Sequence, residues 1–153
     1  IQKIVVVNGH GGNTAALAGL ARDLRERKRI FMSIYVWWEV SRKLLPKLFC
    51  EEELGHAAAE ETSLNLFLHP RLVNMNKAVD ETPHRPFFDA SSFGINYRLD
   101  TVDYTSSGVF GTSTTASSKK GKRIFDVVVE ELVKHIKAVK KSKIDDLLSK
   151  PLV

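Results

Sequence analysis

One cysteine, Cys50, is all that the 153 residues contain, which excludes a disulfide framework and any cysteine-based zinc cluster. Long apolar runs are missing too. None approaches the roughly 18–20 residues that a bilayer-spanning helix needs, so a helical membrane protein is excluded. The sequence opens Ile1-Gln2-Lys3 without methionine and leads directly into Ile4-Val5-Val6-Val7, so these first residues are not expected to be a targeting segment. It reads as a chain entered in mid-domain, and a reducing, cytoplasmic setting is expected. Internal repeats and low-complexity stretches are also lacking. With 43% apolar and 27% charged residues the chain is no disordered polymer, and its length suits one domain.

Charge is present in excess on one side only. Residues 119–150 carry ten Lys/Arg against five Asp/Glu, which accounts for the whole net charge of +5. A basic stripe of this kind can touch nucleic acid. Aromatic residues do not interleave it as a single-strand stacking platform requires, so the solvated face of a helix is favoured and nucleic-acid binding is disfavoured.

Periodicity gives the organisation. Ile4–Val7 is a β-branched run expected to be buried on both faces of a parallel sheet. Asn8-Gly9-His10-Gly11-Gly12-Asn13 ends it, and Asn13 or Thr14 can cap a helix carrying Leu17, Leu20, Ala21 and Leu24 on one stripe. Residues 30–37 read as a second strand, completing a βαβ unit. A weak helical pattern over 39–49 is interrupted by Pro46. A helix is expected from about His56 to Leu68, then irregular chain to about residue 115, where Pro83, Pro86, Gly94, Gly108 and Gly111 fall. A long helix from about Ser117 to Lys141 carries Ile124, Val128, Leu132 and Ile136, and Leu147, Leu148, Leu152 and Val153 lie in a short tail.

Two clusters could carry chemistry. The glycine loop lies at the carboxyl end of a strand, where open α/β sheets bind ligands. Its spacing matches neither common phosphate-binding pattern. His10 as a metal ligand or proton carrier fits better, and a turn histidine satisfying loop carbonyls is the plain alternative. In the second cluster, Ala57, Glu61, Leu64 and Leu68 recur at helical spacing. That places Glu61 on the buried stripe and Glu60 in solvent. A buried carboxylate implies a cation, a metal or a salt bridge. His56 sits near the helix start, where it could cap the helix or turn inward.

These motifs, NGHGGN after a β-branched strand and GHAxxxETS about 45 residues on, resemble the creatininase family. Gly108-Val109-Phe110-Gly111 and Lys120-Gly121-Lys122-Arg123 are similar to its closing segment, so the resemblance spans roughly residues 4–139. It implies a layered α/β/α fold with a mostly parallel sheet, here a single partial domain over residues 1–153. It also implies a site of two divalent ions (Zn, Mn or Fe) that hydrolyses a non-peptide C–N amide bond, in a cyclic amide or formamide, of a small molecule. By the resemblance His10 and Glu61 are metal-site residues, His56 and Glu61 the catalytic pair, and Gly11, Gly12, Asn13 and Trp37 the substrate contacts. The family's remaining ligands, a Glu-x-His and an Asp, belong to a segment before the first strand. The chain is therefore expected to need that segment or a partner chain, to be inactive alone, and to work in a homo-oligomer, a hexamer in the family. Gly12, Ala59 and Thr112 stand where family members carry acidic residues. Gly12 makes the loop resemble the family's broader branch of formamide deformylases and a mycofactocin-peptide protease, whereas Ala59 and Thr112 point to the alternative reading, a non-catalytic member or split subunit that binds a partner chain.

Overall fold

The computed structural model describes residues 1–82, 84 and 99–149. Contacts sort the chain into two compact units, Ile1–Arg42 with Val127–Val153, and Lys43–Asp126.

In the first unit, strand β1 (Lys3–Asn8) pairs in parallel with β2 (Phe31–Val36), in the register Ile4↔Met32 and Val6↔Ile34. Helix α1 (Thr14–Lys28) is the crossover between them, so the βαβ reading holds. Branched side chains favour the extended conformation, and α1 stops where Arg29 turns left-handed at φ 51°. Burial on both faces does not hold. Among the described residues each of these strands has one partner, so β1 is only half-buried and Val7 is 56% exposed. On α1, Leu17, Ala21 and Leu24 are half-buried while Leu20 is exposed. Trp37 does not close the strand; it opens the short helix α2 (Trp37–Ser41).

Helix α4 (Ser118–Lys141) forms over the predicted range. Within the first unit its later residues are tied to the sheet strands: Tyr35 donates to the Val128 carbonyl at 2.6 Å, and Ser33 Oγ lies 2.8 Å from His135 Nε2. Lys3 Nζ donates to the carbonyls of Val139, Lys140 and Ser142. A cation thus meets the negative end of the helix dipole, an arrangement worth about 0.3–1 kcal/mol. The expected buried stripe ends differently, with Val139 buried and Ile136 exposed. Lys134 is paired with Glu130 and Glu131, as on a solvated face. The tail forms α5 (Ile144–Leu148); Leu152 and Val153 lie outside the described residues.

The second unit is built around helix α3 (Ala59–Leu68) and the first turns of α4. They approach closely: a Cβ on Gly121 would fall 1.9 Å from the Ser63 carbonyl oxygen. Ser117 N donates to Ser63 Oγ at 2.9 Å, and the Phe67 and Phe125 rings lie 5.3 Å apart. Lys120 Nζ sits 4.5 Å from the Phe49 ring centre and 3.3 Å from Glu53 Oε1. Leu45, Phe49, Ala58, Ala59, Val109 and Ile124 are buried. Among the described residues no helix is long and apolar enough to cross a membrane.

The stretch expected to be irregular is held by carboxylates. Strand β3 (Asp80–Glu81) pairs antiparallel with β4 (Gly111–Thr112). Asp80 accepts from Ser113 N, Thr114 N and Thr114 Oγ1. Glu81 accepts from Ser106 N, Ser107 N and the Ser107 hydroxyl. Pro83, Pro86 and Gly94 lie outside the described residues.

These bonds need ionised acceptors. The Ser106 amide, followed by the Ser107 hydroxyl and amide, pulls the Glu81 carboxyl down to about 2. A group whose folded pKa is depressed contributes stability that is complete above its unfolded value, about 4.3, and lost as pH falls through the folded value. The melting temperature of wild type should therefore fall as the pH is lowered from about 5 to about 2. The Glu81→Gln variant should melt lower at neutral pH and show a flatter decline, checked by circular-dichroism melts across that range; parallel pH curves would contradict it.

Candidate active site

The glycine loop takes its shape from Asn8, which is only 2% exposed at the carboxyl end of β1. Its Oδ1 accepts from His10 N at 3.2 Å and from Asn13 Nδ2 at 3.3 Å, and its Nδ2 donates to Thr14 Oγ1. Asn13 precedes α1 without a side-chain cap. His10 instead caps the 3₁₀ turn Gly11–Asn13, its Nδ1 accepting from Gly12 N at 3.2 Å. A neutral imidazole has one lone pair in the ring plane. With that pair on the Gly12 amide, the proton belongs on Nε2. Gly11, Gly12 and Asn13 are exposed. Trp37 is buried, its ring edge-on to Trp38 at 5.8 Å.

The second cluster departs from its expected helix. α3 begins at Ala59, with Ala58 as its cap, so His56 lies on a strap before it. Two backbone positions force the strap: Gly55 has φ +156° and Ala57 has φ +53°. At Gly55 only glycine fits, because a Cβ there would lie 2.0 Å from the Phe110 carbonyl oxygen. His56 pairs with Phe110 in an antiparallel bridge, Phe110 N donating to His56 O at 2.8 Å.

Glu60 and Glu61 occupy the first turn of α3, where carboxylates suit the helix dipole. Each reaches back to the strap. Glu60 Oε1 accepts from Gly55 N and Glu61 Oε2 from Ala57 N, both at 2.8 Å. The expected burial of the two is reversed. Glu60 is 6% exposed and Glu61 only half-buried. The buried face of α3 is Ala59, Glu60 and Ser63, because small residues face the close approach of α4, while Leu68 remains 41% exposed. Desolvation pushes the Glu60 carboxyl up to about 7 against the lowering pull of the Gly55 amide. Its Oε2 is buried without a hydrogen-bond partner among the described residues. The sequence did carry one sign of this residue's place: three alanines precede it, and Gly55 stands five positions upstream.

His56 and Glu61 thus belong to one local structure in the second unit, while His10, Gly11, Gly12, Asn13 and Trp37 belong to the first. Among the described residues, no group of three or more His, Cys, Asp or Glu side chains could hold a metal ion. The lone pair of His10 is turned onto an amide, and Glu61 is engaged with Ala57 N. These residues by themselves do not fit a metal's donor set. A cavity of about 390 Å³ in the second unit is lined by Glu51, Glu52, Asp80, Glu81 and Phe110, not by His56 or Glu61.

Fold and site together define an α/β protein with a histidine strap braced by carboxylates and a separate glycine loop at a strand end. The family described as creatininase, creatinine amidohydrolase, matches residues 1–136, and the chain belongs to it. The match takes in residues of both units. The chain is 27% identical over 149 residues to a creatinine amidohydrolase of Pseudomonas putida, covering 89% of this chain and 55% of that protein. It is 30% identical over 139 residues to a mycofactocin precursor peptide peptidase of Mycobacterium ulcerans (strain Agy99), covering 88% and 48%. The chain therefore spans about half the length of the relatives it matches. Among solved structures, a protein of Bacteroides fragilis NCTC 9343 assigned as a creatinine amidohydrolase superposes with a TM-score of 0.76 at 29% identity, covering 91% of this chain and 54% of that one. A creatininase in a Mn form and a mutant creatininase of Zn–Zn type superpose with TM-scores of 0.65 and 0.64, each at 27% identity over 90% of this chain and 56% of theirs.

The strap's dependence on Gly55 is directly testable. Gly55→Ala drives a methyl group into the Phe110 backbone and should cost about 1–3 kcal/mol, the range for overpacking and a strained backbone. Urea denaturation of the two proteins measures it; equal stability would show that the strap is not held against Phe110.

Proposed function

We propose that this chain forms the His56-bearing part of an amidohydrolase that cleaves the C–N bond of a small cyclic amide or formamide. The observation that carries the reading is local. His56 stands between two amides that the first-turn carboxylates of α3 hold, within the motif that marks the family. A single domain spanning both units and assembly as a homo-oligomer, a hexamer, belong to the same proposal, as does a cytoplasmic setting.

Hydrolysis of an amide requires water to add to the carbonyl carbon and a proton to reach the departing nitrogen as the C–N bond breaks. His56 is the group suited to move that proton, because an imidazole accepts a proton and returns it. Glu61 holds the strap at Ala57 by accepting its amide, which fixes the backbone that carries the ring. Gly11, Gly12 and Asn13 are kept as substrate contacts, although the Gly12 and Asn13 amides already donate to His10, and Trp37 is kept with them. The Mn and Zn–Zn forms of structural relatives support a divalent metal in the complete protein. A bound metal would polarise the carbonyl and acidify water. His10 and Glu61 would help hold it only with His10 Nδ1 released from the Gly12 amide and with further ligands from outside the described residues.

A second reading has its own support. The described residues fall short of a metal's donor set, and Ala59 and Thr112 replace acidic residues, as expected of a non-catalytic member that joins a partner chain.

Turnover of creatinine and of an N-formyl amine by the full-length protein separates the two. Glu61→Gln and His56→Ala should each lower kcat/KM on the order of 100-fold or more, as loss of an acid–base group does, with circular dichroism confirming the fold. Metal analysis should show one site weakened by His10→Ala. Unchanged turnover in both variants, or no hydrolysis by wild type with metals restored, would favour the non-catalytic reading.

A further inference from the structure

We propose that Glu60 is a positioning residue for His56, fixing the strap from the Gly55 side while Glu61 fixes it from the Ala57 side. The proposal rests on the amidohydrolase reading for its catalytic consequence, not for its geometry. Three hydrogen bonds define the path of the chain through His56: Gly55 N to Glu60 Oε1, Ala57 N to Glu61 Oε2, and Phe110 N to His56 O, each 2.8 Å. The first two hold peptide groups on either side of the imidazole-bearing residue. Losing one leaves the ring attached but free to swing about the other.

Glu60 is a poor choice if stability were its purpose. It is 6% exposed, yet one carboxylate oxygen has no hydrogen-bond partner among the described residues. Burying a carboxylate with only part of its capacity satisfied is unfavourable. The amide it accepts belongs to Gly55, an exposed residue, which water could serve in its place. A leucine would fill the same buried space without either penalty. What Glu60 supplies and a leucine cannot is a fixed acceptor that draws Gly55 N toward the helix start. With Gly55 already pressed on the Phe110 backbone, that leaves His56 one place to be.

The test compares Glu60→Leu and Glu60→Gln in the complete protein. Glu60→Leu should keep or raise the melting temperature. It should move the Gly55 amide proton upfield and shift the His56 ring signals, while Ala57, held by Glu61, keeps its amide resonance. With creatinine or an N-formyl amine as substrate, kcat should fall roughly 10-fold with KM within about 2-fold, the pattern of a misplaced catalytic group. Glu60→Gln, whose amide oxygen still accepts, should restore the Gly55 and His56 signals and bring kcat to within about 3-fold of wild type. Unmoved Gly55 and His56 signals in Glu60→Leu would overturn the proposal. A lowered melting temperature with equal losses in both variants would do the same, since that is a structural role. If wild type hydrolyses neither substrate, the enzyme reading fails, while the resonance comparison still decides whether Glu60 places His56.

Discussion

Carboxylates accepting backbone amides are the interaction that sets the loop geometry of the second unit. Loops that carry functional side chains have few ladder partners for their N–H groups, and a buried or half-buried amide must find an acceptor. Here glutamates and an aspartate supply it. Glu60 and Glu61 receive the strap amides, and Glu81 and Asp80 receive those of residues 106–107 and 113–114. Charged acceptors make stronger bonds than neutral ones, which suits short segments with no helix or sheet to continue into.

The two sets are linked through Phe110. Glu81 and Asp80 brace the chain on both sides of the Gly108–Gly111 segment, whose Phe110 amide reaches the His56 carbonyl and whose backbone lies against Gly55. A change at either carboxylate pair therefore reaches His56 through at most two hydrogen bonds. The first turns of α4 belong to the same unit, and their approach to Ser63 fixes which face of α3 is buried. That packing, rather than the leucine spacing, decides that Glu60 and not Glu61 is interior.

Much of the fold could be read from the sequence. The β-branched run, the glycine loop and the apolar stripe of residues 118–141 were strong local signals, and β1, α1, β2 and α4 formed where they predicted. The chemistry was legible in its residues but not in its geometry. The sequence places His56 at the start of a helix, yet the positive φ at Gly55 and Ala57 delays the helix to residue 59. The leucine spacing sets the phase on Leu64 and Leu68, whereas the residue that meets α4 is Ser63. Nothing local reveals that, since it depends on Gly121 some 58 residues later. The carboxylate brackets at Asp80 and Glu81 were likewise hidden in chain that periodicity reads only as irregular.

The most direct measurement is hydrogen exchange at the Gly55 and Ala57 amides of the native protein. If neighbouring carboxylates hold the strap, both amides exchange slowly, on the order of 100-fold below the unstructured-chain rate, although Gly55 is an exposed residue. Exchange of both at the unstructured rate would mean that the strap is loose and that His56 is not placed by Glu60 and Glu61.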